Sequence, residues 1–266
     1  MNNRTPDKDL PILLKYSELL LDLFENNFET RFKYSIDDHF AFMILCFLSK
    51  QKEHLISAMT LVKSESYSDA MIISRNMIEG VGIISWVSED LQKRALQWRK
   101  YSVVSDYRLT LKKANGDKSK LDKEILNRSL SEGYEFLKES LKKPKTQLNN
   151  LPLDPFKKSW LFDENGNEVK IYKLFGTDNK VLYEIYGEMS DWAHWNVSRI
   201  GTRINRNSSE VEFHSSKAQD GCLALSSAII SIEYFFRFAN KHLNLKLIEE
   251  LDKLMNNFKI DMEINT

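Results

Sequence analysis

The stretch from Ser68 to Val87, SDAMIISRNMIEGVGIISWV, limits the possible folds more than any other. At about 100° per residue, Arg75, Glu79, Gly82 and Trp86 share one side of a helix, flanked by Met71, Ile72 and Ile78. Ala70, Ile73, Met77, Val81 and Ile84 occupy the other side. A helix that is apolar nearly all round belongs in an interior, so the pattern predicts a central helix over 68–87. It also carries Arg75 and Glu79 inward. Two charges leave water at great cost unless each meets the other and further hydrogen-bond partners, so a second segment must complete the site.

The remaining chain predicts the helices that surround it. Apolar residues recur at spacings of three and four over 6–28, 37–65, 88–114, 119–143, 179–198, 217–242 and 246–257. The expectation is an all-α fold: a single multi-helix bundle around the central helix, one domain over 1–258, and a loose tail at 259–266. Three of the five prolines fall in KKPKTQLNNLPLDPFKKS, 142–159, which reads as a linker or lid within that domain. Residues 160–175 stay open between two readings. Asn165-Gly166 signals a hairpin near 160–172, and Val169, Ile171, Leu174 and Phe175 suit a short helix. A second small hairpin is possible over 203–214, with a strand near Glu210.

Charge and cysteine usage exclude some functions. With 38 basic and 38 acidic residues the net charge is zero, so no global field draws the chain onto nucleic acid or anionic lipid. Cys46 and Cys222 lie in apolar, helix-like sequence without a CxxC partner, which predicts reduced, buried thiols and a cytoplasmic location. The longest uninterrupted apolar run, Phe40 to Leu48, is under half of the roughly 20 residues that span a bilayer. Together with the polar start MNNRTPDKDL this predicts neither a membrane span nor a signal peptide. No Walker loop, GxGxxG, GxSxG or paired CxxC occurs, and no histidine pair has the spacing of helical zinc ligands, so no cofactor and no metal are expected.

The segment completing the central site is expected in NKVLYEIYGEMSDWAHWNVS. There Tyr183, Gly187, Ser190, Asp191, His194 and Ser198 align within about a quarter of the helix. Arg75 would bridge Glu79 and Ser190 or Asp191, with His194 opposite Glu79. Such a network either fixes the register of two helices or forms a pocket in which Glu79 or His194 is a general base and Arg75 holds an anion. Trp160, Phe162 and Trp195 are the aromatic residues expected at a contact surface.

HLISAMTLVKSESYSDAMIISRNMIEGVGIISWV, RALQWRKYSVVSDYR, Trp160, KLFG at 173–176 and YEIYGEMSDWAH together resemble domain of unknown function 5677, a bacterial helical family. The resemblance spans about 50–240. It implies an Arg-x3-Glu pair on one helix and a Tyr, Ser and His cluster on a later one, which puts Arg75, Glu79, Tyr183, Tyr186, Ser190 and His194 at the matching positions. Trp195 stands where that family often has Pro. The family implies no established reaction. Arg237 and His242, in RFANKH, are similar to the Arg-x4-His spacing of HEPN ribonucleases, helical proteins of bacterial defence and toxin systems. Two functions follow: a binding or scaffold module engaging itself as a homodimer, or a protein or RNA partner; and a metal-independent ribonuclease using Arg237 and His242 or the central cluster. Arg199, Arg203 and Arg206 add a basic strip that would suit phosphates.

Overall fold

The computed structural model describes residues 5–28, 33–120, 123–142, 152–176, 180–193, 204–205, 210–211 and 217–264. The fold is all-α. Among the described residues its helices are α1 Pro6–Asn27, α2 His39–Lys63, α3 Tyr67–Val87, α4 Leu91–Lys100, α5 Ser102–Lys113, α6 Lys123–Glu132, α7 Ile171–Leu174, α8 Lys180–Ala193, α9 Ala218–Leu243 and α10 Ile248–Ile264. Extended pairing among the described residues is minimal: Ile204–Asn205 lie antiparallel to Glu210–Val211. The chain groups into two compact units. The first comprises 1–36, 44–88 and 171–266, and the second 37–43 and 89–170.

In the first unit α3 packs against α9, α8 and α7. Ala70, Met71, Met77, Ile78, Val81 and Ile84 of α3 are wholly buried, as are Ile229, Ile232, Phe235 and Phe236 of α9. Gly80 permits part of this approach, since a Cβ there would lie 2.6 Å from Gln51 Nε2 and 3.5 Å from the Phe235 ring. Gln51 in turn donates to the Met77 carbonyl at 3.0 Å. α1 packs on α9 and α10, with Phe24 and Phe236 rings 4.4 Å apart and Tyr16 and Phe258 rings 5.0 Å apart. By length and composition α3 and α9 are apolar enough to cross a membrane; 61% and 56% of those windows are buried inside the fold.

Helix ends follow local rules. α2 closes with Glu65 in the left-handed region, φ 60°, while Ser66 N–H donates to Leu61 and Glu65 N–H to Val62, the paired bonds of a Schellman turn. α9 starts with Asp220 accepting from the Lys217 N–H at 3.0 Å and stops at left-handed Asn244. Residues 259–264, expected as loose, continue α10. Asp261 ties them down by accepting from Lys15 Nζ and Tyr16 OH, each at 2.8 Å. Cys46 corrects the expectation of two buried thiols. It is exposed, because it lies about 200° round α2 from buried Ile44. Cys222 is half-buried, with Sγ 3.5 Å from the Pro6 carbonyl.

The second unit has its own core: Val103, Val104, Tyr107, Leu111, Phe136, Leu137 and Phe156. Here one expected helix over 88–114 is divided at Tyr101 into α4 and α5. The helix expected over 119–143 ends at Glu132, where Gly133 packs so closely that a Cβ would meet the Ser129 carbonyl; 3-10 turns follow at Tyr134–Phe136 and Glu139–Leu141. The described part of the proline-rich stretch is anchored. Tyr107 OH donates to Leu153 O at 2.8 Å, Arg108 Nε to Asp154 at 3.0 Å, and Tyr101 OH to Lys158 O at 2.8 Å. Around Asn165-Gly166 a single bridge, Phe162 with Glu168, forms above a turn whose N–H groups at 165 and 167 donate to Asp163 Oδ1.

Candidate functional site

The site grows from Arg75, two turns into α3. Its aliphatic stem leaves a buried helix, and its guanidinium has donors in a fixed plane, so partners must sit around that plane. α8 supplies them. Arg75 Nε donates to Ser190 Oγ at 2.8 Å, and Nη2 donates to Tyr186 OH. Nη1 donates to Asn76 Oδ1 at 3.3 Å and stands 3.6 Å from Glu79 Oε2. Tyr186 OH donates to Glu79 Oε2 at 3.5 Å, and Ser190 Oγ donates back to the Tyr186 carbonyl at 2.7 Å. Tyr186 and Ser190 are four residues apart, so one face of α8 offers both.

Packing also holds the Tyr186 ring. The Arg75 guanidinium also lies 4.6 Å from the Tyr186 ring centroid. Phe175, just after α7, is buried beneath and meets the rings of Tyr186 at 5.9 Å and Tyr183 at 6.0 Å. Phe175 itself sits against Gly82, where a Cβ would come within 3.0 Å of its Cζ. Gly82 shares the face of Arg75 and Glu79, so the small residue makes room for α7 beside the polar cluster. Burial pushes the Tyr186 phenol above its ordinary pKa; Glu79 adds to that rise and Arg75 opposes it. The cluster is not dry: the Arg75 side chain is 15% exposed and that of Glu79 36%.

Of the residues expected here, Arg75, Glu79, Tyr186 and Ser190 come together. Tyr183 belongs to the aromatic edge, at 38% exposure, and Asp191 is half-buried one residue beyond Ser190. His194, with Trp195, Arg199, Arg203 and Arg206, lies outside the described residues. Arg237 and His242 belong to α9 but point to different partners. Arg237 Nη2 pairs with Glu233 at 2.9 Å and Asp252 at 2.8 Å, while the His242 ring lies 5.3 Å from that of Phe238, tilted by 31°. Asn76 and Phe175 are the contributors that sequence reasoning missed. Asn76 carries no signal of its own, and Phe175 follows α7 in a stretch whose local structure is ambiguous. Trp160 and Phe162, expected on a contact surface, are half-buried and pack against the core of the second unit.

Fold and cluster define an all-helical protein in which an arginine from a core helix is clasped by a tyrosine and a serine from a later one. The chain belongs to the family of unknown function DUF5677, whose model matches residues 41–211. That span begins early in α2 and takes in both sides of the clasp. No curated protein and no solved structure matches the chain.

Proposed function

We propose that this is a cytosolic helical binding module, acting by association with itself or with a protein or RNA partner, in which the Arg75 cluster fixes α8 on α3. One observation carries the reading: each terminal nitrogen of Arg75, and its Nε, already has an intramolecular partner in Ser190, Tyr186 or Asn76. Three of its five N–H donors are thereby spent inside the fold, which favours a register device over an anion clamp. Glu79 is likewise engaged by Tyr186 and Arg75, which suits a register device better than a general base.

The test is incubation of the purified protein with single-stranded and structured RNA, beside Glu79→Gln and His242→Ala variants. Intact RNA in all three samples is the expected result. Cleavage by the wild type that disappears in a variant with unchanged circular dichroism would overturn the reading in favour of the metal-independent ribonuclease.

A further inference from the structure

The second unit carries an open cleft of ≈ 640 Å³ that has no part in the cluster described above. Four aromatic rings line it: Phe42, Trp98, Tyr101 and Trp160. All four are half-buried, so each shows part of its surface to the cleft. Tyr101 and Trp160 rest with their other sides on the unit's hydrophobic core. Their positions are fixed. Tyr101 OH donates to the Lys157 and Lys158 carbonyls at 3.0 and 2.8 Å, and the Gln97 side chain donates to the Trp160 carbonyl.

Arg99 is the cation of the lining, and Arg108 reaches Tyr101 from outside it, donating to the phenol oxygen at 2.6 Å. Arg99 lies with its guanidinium 4.9 Å from the Phe42 centroid, and its Nη1 is 3.3 Å from His39 Nδ1. A guanidinium only donates, so His39 accepts there. The exposed hydroxyls of Ser102 and Ser105 and the exposed carboxylate of Asp106 complete the lining. Rigid aromatic walls with a few polar groups and a volume of this order are the usual make-up of a small-molecule site.

We propose that this cleft binds a mononucleotide, its base stacked among the aromatic rings and its phosphate on Arg99. The rings ask for a flat, π-faced group, since stacking on tryptophan and tyrosine stabilises any planar heterocycle. Arg99 selects the charge. It already covers a face of Phe42, so a second cation entering the cleft would meet it as a like charge, whereas a phosphate gains a planar, charge-assisted donor. Asp106 lies at the solvent side, where its carboxylate is screened and suits an exocyclic amino or ribose hydroxyl group. A purely apolar ligand would cover Arg99 and the serine hydroxyls without offering partners.

The probes are AMP, adenosine, ribose 5-phosphate and choline, titrated into the purified protein while tryptophan fluorescence is followed. Saturable quenching by AMP with a Kd below about 1 mM is expected, with adenosine and ribose 5-phosphate each at least about tenfold weaker. Arg99→Gln should weaken AMP about tenfold or more. Because Arg99 also packs on Phe42, a second variant, Ser105→Asp, places a negative charge on the exposed wall without touching the core and should weaken AMP as strongly. The proposal is overturned by any of these results: no saturation by AMP, adenosine or ribose 5-phosphate binding as well as AMP, AMP affinity unchanged in Ser105→Asp, or saturation by choline instead.

Discussion

Arg75 shows how far a single residue's chemistry sets the local structure. Its three donating nitrogens reach different partners, and the loss expected from each substitution differs accordingly. Tyr186→Phe removes the acceptor on a half-closed site and should lower stability by about 1–2 kcal/mol in chemical denaturation. Glu79→Gln, at a carboxylate 36% exposed, should cost less than about 1 kcal/mol, since solvent screens the pair. A larger loss for Glu79→Gln than for Tyr186→Phe would contradict this order. The cysteines make a second prediction at this scale. Burial, then Asp9 and Asp7, push the Cys222 thiol up to about 11. At pH 8 its alkylation should therefore run roughly a hundredfold slower than that of a thiol at the ordinary value of 9.0, with Cys46 labelled first by mass spectrometry. Arg75, Glu79 and Ser190 were legible in the sequence because charge and hydroxyl interrupt apolar helical periods. The full partner set was not: Asn76 joins from the adjacent position on α3, which no helical spacing marks, and Phe175 joins through the packing of the segment after α7 on α3.

At the scale of elements, small residues decide which helices approach. Gly82→Ala would place a methyl 3.0 Å from Phe175 Cζ and 3.3 Å from Leu174 Cβ, so the Phe175 ring or α7 must give way. The expected cost is about 1–3 kcal/mol, accompanied by faster hydrogen exchange in α7 and the start of α8. Unchanged exchange there would mean that Phe175 rotates aside freely. The long helices were legible from their periodicity, and α3 begins and ends within one residue of its expected bounds. Elsewhere local signals were outweighed. The division at Tyr101 leaves no mark in the apolar pattern, because Trp98, Tyr101 and Val104 keep helical spacing across it. The end of α10 was misjudged because Asp261 owes its order to Lys15 and Tyr16 on α1, some 245 residues away in sequence.

That same tie gives the molecule as a whole an acid-sensitive joint. The hydrogen bonds from Lys15 and then Tyr16 hold the Asp261 carboxyl below its ordinary value of 3.8. A depressed carboxylate adds stability that is fully present above the unfolded value and disappears as pH falls through the folded one. The end of α10 should therefore stay docked above pH 3.8 and loosen below it, seen as rising hydrogen exchange over Met262 and Glu263. Asp261→Asn should show the looser state at neutral pH and little further change in acid. The first unit also has a discontinuous chain path, with 89–170 intervening between α3 and the helices that enclose it. On a ribosome adding about 5–20 residues per second, α3 would wait on the order of 10–30 s for α9 to be synthesised. During that wait the face of α3 that packs on α9 stays uncovered, which makes the nascent protein a client for chaperones, and any chain that stops before residue 218 a source of aggregates.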